Sequence, residues 1–138
     1  MNKTKPLIAA LILLNSPHAI AVEWDSIIKK TDYEIFVDID SYNVANGFPY
    51  ILTKTIFKNA QPYLYKDKGL NYQYQIKTTQ FNCNQAFYKN TSTDFYNAKN
   101  KVMASVKLTT EFKPVVAGSD EFAVAQLVCQ VHKMVGGH

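Results

Sequence analysis

The chain has 138 residues, 47% of them hydrophobic and 19% charged, with 5 Gly and 5 Pro. That is one ordinary domain, too apolar for a disordered chain and too irregular for collagen or a coiled coil. All fifteen basic residues are Lys and they are scattered, which argues against nucleic-acid binding, where Arg forks and basic patches grip phosphates.

Residues 1–21 read as a secretory leader. Lys3 and Lys5 precede the apolar run Leu7 to Leu14, Asn15, Ser16 and Pro17 break it, and Ala19 and Ala21 are small residues placed for cleavage before Val22. Such a run spans only about half of a ~30 Å hydrocarbon core, and no later segment approaches ~18 apolar residues, so no integral membrane span is expected. No Cys stands at the cleavage point to take a lipid. Val22 to His138 then forms a single domain in which 13 Lys face 11 acids, a net charge of +2.

In that domain, Glu23 to Ile28 around Trp24 reads as a strand, Lys29 to Asp32 as a turn, and Glu34 to Asp38 as a second strand. Asn46-Gly47 is a strong turn signal, and Tyr50 to Lys58 has the β-branched and aromatic content of a strand. Asn59 to Gly69 reads as a loop. Asn71 to Asn82 alternates clearly at Tyr72, Tyr74 and Ile76, but Phe81 and Cys83 have the opposite parity. Either a bulge near Thr78 to Gln80 changes the facing, or the strand is covered on both faces. Phe87-Tyr88, Asp94 to Tyr96 and Lys101 to Leu108 read as further strands, with Asn97 to Asn100 closing a hairpin.

From Asp120 to Met134 the apolar period changes to three and four. Ser119 suits an N-cap, Asp120 and Glu121 the positive helix end, His132 and Lys133 the negative end, and Gly136 a stop. A strand over Ala123 to Val131 is the alternative, which the caps and the length disfavour. Cys83 and Cys129 are the only cysteines, an even count that argues for one disulfide in an exported chain.

Candidate chemistry is sparse. His132 and His138 do not make a metal site or a catalytic triad with any recognisable partner, and no cofactor motif is present. Asp38 and Asp40 point the same way on an extended segment and could act as paired carboxylates, but more often such residues bond a turn backbone together with a neighbour such as Ser41. Tyr63, Tyr65, Tyr72 and Tyr74 lie near Lys66 and Lys68, a composition found on protein-binding surfaces and also in packed thin sheets.

Trp24, Asp32, Phe36-Val37-Asp38, Ser41, Phe81 with Cys83, Tyr96 before a hairpin, and Gly118-Ser119 opening a segment that ends near Cys129 together resemble the surface-adhesin protein E-like family. The resemblance implies an α+β fold: an antiparallel sheet of about six strands with a C-terminal helix held on one face by Cys83–Cys129. It also implies a Gram-negative envelope protein, not an enzyme, that binds a host or extracellular-matrix protein. Without a lipidation Cys, residence is open between cell surface and periplasm, and the alternative function is a soluble periplasmic accessory or envelope protein with no host ligand. Exposed edge strands would allow a homodimer.

Overall fold

Each alternating segment must find a partner for its backbone N–H and C=O groups, and here every one finds it in the next along the chain. The structure, a computed structural model, describes residues 22–63, 70–108 and 111–136. Strands β1 (Asp25–Lys29), β2 (Tyr33–Ala45), β3 (Phe48–Tyr63), β4 (Leu70–Asn82), β5 (Phe87–Tyr96) and β6 (Val102–Lys107) form an antiparallel meander in sequence order. A two-residue strand, β7 (Lys113–Pro114), adds to β5 opposite Phe87 and Tyr88. One helix, α1 (Asp120–Met134), closes the described chain. The expected leader with Ala19 and Ala21, the residues Tyr65, Lys66 and Lys68, and His138 lie outside the described residues.

The tight turns follow the local chemistry. Asn46 and Gly47 both have positive φ (54° and 83°) and close β2 onto β3 with Ala45 opposite Phe48, the two-residue geometry that matches strand twist. Asn97 holds the β5–β6 turn, its Oδ1 accepting from the backbone N–H groups of Lys99 and Lys101.

Several strands run further than their composition suggests. β2 continues from Asp38 to Ala45 through a register shift between Asp38 and Asn43. β3 continues to Tyr63, so Asn59 to Tyr63 is strand and not loop. The polar stretch between Phe87-Tyr88 and Asp94–Tyr96 is also strand: Thr79 Oγ1 donates to Asn90 Oδ1 (2.9 Å), and Ser92 Oγ donates to Thr78 Oγ1 (3.1 Å). An interior strand keeps its ladder because its backbone has no solvent to fall back on. β4 keeps one register with β3 from Tyr74 to Gln80, and the shift lies in β5, where Thr91 is the extra residue. The parity conflict therefore resolves as cover on both faces. Thr79 and Phe81 point to the helix side, while buried Gln80 donates from Nε2 to Ala45 O (2.9 Å) and Phe48 O (3.3 Å) on the other.

α1 is capped by Ser119, whose Oγ accepts from Phe122 N–H at 3.1 Å. The helix lies over the sheet against β3, β1 and β4, and side chains of β2 bond its two ends. At its start the Tyr33 hydroxyl donates to Asp120 Oδ2 (2.6 Å), and near its end the Tyr42 hydroxyl and His132 Nδ1 share a hydrogen bond of 2.6 Å. Between helix and sheet, Val37, Ile51 and Phe81 meet Val124 and Val128 of the helix in the buried apolar cluster. Thr53, Thr55, Thr79 and Thr93 are buried with them. The Cys83–Cys129 disulfide, with its Cα atoms 5.6 Å apart, fixes the helix to the end of β4. Among the described residues no helix is long and apolar enough to cross a membrane.

Candidate functional site

The helix covers only the part of the sheet between Tyr33 and Tyr42, and β3 and β4 extend past its N-terminus. On that extension aromatic side chains from four strands meet. Tyr33 of β2 lies against Phe57 of β3 (centroids 6.1 Å apart), Phe57 against Tyr72 of β4 (5.7 Å), Tyr72 against Phe95 of β5 (4.8 Å), and Phe95 against Tyr63 (5.0 Å). The rings are tilted or edge-to-face, the arrangement their quadrupoles favour. All five are part-exposed, so the row is packed sideways and open outward. Burial raises the Tyr72 phenol above its ordinary pKa.

A register irregularity builds this row. β3 spends the residues between Ile56 and Gln61 where β4 spends those between Tyr74 and Tyr72, and the Phe57 carbonyl accepts from Gln73 Nε2 (2.5 Å) within that bulge. A bulge bends the strand and re-aims side chains, which brings Tyr72 to Phe57 and Phe95.

An open cleft of about 220 Å³ borders the Tyr33–Phe57 pair at the β1–β2 edge of the sheet, with Lys29, Glu34 and Ile56 on the opposite face from the row. Lys29 lines it from the end of β1, Lys30 and Thr31 from the β1–β2 turn, Glu34 from β2, and Ile56 and Lys58 from β3. Lys58 is drawn in because its backbone N–H donates to Asp32 O (2.9 Å). Lys30 pairs with Asp120 (3.1 Å) and lies 5.5 Å from the centroid of the Tyr33 ring. Hydrogen bonding to Tyr33 and Asp120 raises the Lys30 pKa, and the bond to Asp120 raises that of Tyr33. Burial pushes the Asp120 carboxyl up, but the Tyr33 and Lys30 hydrogen bonds and the Lys30 and Lys77 charges outweigh it and hold the carboxyl below its usual range.

The tyrosine group singled out in the sequence is divided by the sheet. Tyr63 and Tyr72 join the row. Tyr74 is on the face away from the helix, stacked on Tyr96 (4.6 Å, 6° between planes), with its hydroxyl donating to Asn100 Oδ1 (3.1 Å). On that face the Lys54 ammonium lies 4.5 Å from the Tyr74 centroid and 5.6 Å from that of Trp24, and burial lowers its pKa. Tyr33, Phe57 and Phe95 escaped sequence reading because only the cross-strand register brings them to Tyr72. Alternation could have put Tyr33 on the face of Ile35 and Val37, but not beside Phe57.

Asp38 and Asp40 do not form a carboxylate pair. Asp38 is buried, its Oδ1 accepts from Asp40 N–H (3.1 Å), and its carbonyl accepts from Ser41 Oγ (2.6 Å), which in turn accepts from Leu52 N–H (2.9 Å). These residues stitch the β2 bulge to β3. His132 is buried against Tyr42. Among the described residues no group of three or more His, Cys, Asp or Glu is placed to hold a metal ion.

Comparison with known proteins adds a lineage to this geometry. The family described as surface-adhesin protein E matches residues 24–130. The chain is similar in fold to protein E of Haemophilus influenzae, at 14% identity and TM-score 0.58 over 86% of this chain and 92% of that one. A second crystal form of that protein gives 14% and 0.59 over 85% and 94%. Protein E from a non-typeable H. influenzae gives 14% and 0.57 over 86% and 82%. No curated protein is a significant match.

Proposed function

The chain belongs to the surface-adhesin protein E family, and on that premise we propose that it is an exported, non-enzymatic binding module that recognises a host or extracellular-matrix protein. The observation that carries this reading is the aromatic row Tyr33–Phe57–Tyr72–Phe95–Tyr63, part-exposed and beyond the cover of α1. Aromatic side chains give large contact area at small entropic cost and dominate binding hot spots. Export is supported by the leader pattern of residues 1–21, with cleavage before Val22 leaving one domain.

Protease treatment of intact producing cells tests the setting. Degradation places the protein outside and is followed by a binding screen against matrix and serum proteins, in which Phe57→Ala and Tyr72→Ala each weaken the best ligand at least tenfold. Protection until the outer membrane is opened overturns the host-protein reading in favour of the second one, a soluble periplasmic accessory or envelope protein. That second reading draws on the lack of a Cys at the predicted cleavage point.

A further inference from the structure

The sheet face turned away from α1 carries a second cleft, of about 230 Å³, lined by Ala45, Tyr50, Thr78, Gln80 and Thr91. Register brings these residues together. Tyr50 stands opposite Gln80 across β3 and β4, and Thr78 stands opposite Ser92 across β4 and β5. Thr91 is the extra residue of the β5 bulge, which re-aims its side chain, and its Oγ1 donates to Thr78 O (3.4 Å).

Gln80 is the informative member. It is 7% exposed and yet borders the cleft. Its Nε2 uses both hydrogens, donating to Ala45 O (2.9 Å) and Phe48 O (3.3 Å). That fixes the amide, because the reversed orientation would press its oxygen against two carbonyl oxygens. Oε1 therefore turns away from the β2–β3 hairpin toward the cleft, where it accepts no hydrogen bond from any described residue. Nearly all buried acceptors in folded chains have a donor, so a locked acceptor without one marks a place for a donor from outside.

The remaining groups define what that donor belongs to. Thr78 Oγ1 accepts from Ser92 Oγ (3.1 Å), which leaves its own proton to give, and Tyr50 adds a hydroxyl on an apolar ring. No lining residue is charged at neutral pH. Beyond the lining the same face carries both signs, Lys89 and Lys107 with Asp94, and the Lys89 ammonium lies 4.7 Å from the centroid of the Phe112 ring. A carboxylate or phosphate would set lone pairs against Gln80 Oε1, and an ammonium would enter with no carboxylate in the lining to meet it. A neutral hydroxyl both donates and accepts. The volume is below the roughly 300–1,000 Å³ of drug-sized sites, so the occupant is one small unit.

We infer that this cleft binds one neutral sugar unit, with one hydroxyl donating to Gln80 Oε1, a neighbouring hydroxyl accepting from Thr78, and Tyr50 supplying the apolar wall. The site lies on the opposite face of the sheet from the aromatic row, so it stands or falls apart from the protein-binding reading above.

The test uses the mature, isotope-labelled protein, followed by amide NMR during titration with the methyl glycosides of glucose, galactose, mannose and N-acetylglucosamine. The titration runs to about 20 mM, enough to saturate a millimolar site. At least one glycoside is expected to shift the amide signals of Ala45, Phe48, Thr78, Gln80 and Thr91 to saturation. Gln80→Met, which keeps the length and removes the acceptor, should weaken that glycoside about tenfold. That change also frees two carbonyls at the hairpin, so Thr78→Val, which keeps the β-branched shape, gives the milder check and should weaken it about fivefold. Ser105→Ala, on the same face in β6, should leave the affinity unchanged.

No saturable shift with any of the glycosides, or shifts centred on Tyr72 and Phe95, overturns the inference. Unchanged affinity in Gln80→Met or in Thr78→Val overturns it too. So does tighter binding of sialic acid, glucosamine or acetamide, which would assign the cleft to an anion, a cation or a plain amide.

Discussion

The two ends of the sheet are built from the same alternating strands and differ in the size of what they point outward. Under α1 the buried sheet positions are Ile35, Val37, Ile51, Thr53, Thr55, Thr79 and Thr93, with Phe81 as the large ring at the centre and Tyr42 and Tyr88 packed at the margin, and Val124 and Val128 meet them from above. Past the helix N-terminus the positions are rings: Tyr33, Phe57, Tyr63, Tyr72 and Phe95. Small β-branched residues leave room for a helix to sit on a sheet, whereas rings fill their own gaps edge to face. The centre of the covered end is mostly small and β-branched, and the end without the helix keeps its rings part-exposed.

If the covered end is where stability resides, breaking its tie should cost most. Replacing Cys83 and Cys129 together by Ser opens a link between residues 46 apart, worth about 4 kcal/mol in the chain-entropy estimate. Denaturant unfolding should show a loss of that order. Amide exchange should rise first in α1 and more slowly in the β3–β4 pairing near Tyr72. Faster exchange throughout the sheet, in step with the helix, would erase the distinction between the two ends.

The comparison is sharpened by one truncation at each end. Val128 is fully buried between helix and sheet, so Val128→Ala should cost about 2 kcal/mol through lost burial and a residual cavity. Tyr72→Ala removes a far larger side chain but a part-exposed one, and should cost no more than about 1 kcal/mol, its main effect falling on binding. Thermal unfolding of the two variants side by side decides this, and a larger drop for Tyr72→Ala would mean that the aromatic row is core and not surface.

How much of this was legible depended on the range of the interaction. The helix was readable to its ends because Ser119, Asp120, Glu121, His132, Lys133 and Gly136 act within a turn or two of where they stand. The Asn46-Gly47 turn was readable for the same reason. The continuation of β2 past Asp38, of β3 past Lys58 and of β5 through Asn90 was not, since bulges and cross-strand polar bonds absorb residues that look like breaks. β7 is a two-residue contact with β5 and left no pattern to read. Tyr63 and Tyr72 stood out by composition. Their partners Tyr33, Phe57 and Phe95 required the register, which is set by pairing across the whole sheet.

The seam between the two ends is Asp120, bonded to both Tyr33 and Lys30. Its carboxyl is held below the ordinary value, so its ionised form contributes stability above the unfolded-state pKa, about 3.9, and that contribution is lost as pH falls through the lower folded value. Urea midpoints measured from about pH 6 to pH 2 should therefore decline below about pH 4, and Asp120→Asn should flatten the decline while costing about 1 kcal/mol at neutral pH. An unchanged acid limb in the variant would show that the seam carries no linkage.

The smallest effect is expected at Thr53, buried on the helix side of β3. Its Oγ1 has no hydrogen-bond partner among the described residues, and the side chain borders a space of about 20 Å³ between the sheet and the first turn of α1, shared with Lys77, Thr79 and Asp120. A buried hydroxyl without a partner carries a desolvation cost that a methyl group of the same shape does not. Thr53→Val keeps the β-branched shape that lets the helix approach, and is expected to raise the unfolding free energy by up to about 1 kcal/mol, seen as a thermal midpoint a few degrees higher. A loss of stability would mean instead that the hydroxyl is satisfied by a solvent molecule in that space, which is large enough for one. The covered end would then be held partly by a polar bridge to the helix start, and the contrast with the aromatic end would be one of hydration as well as of side-chain size.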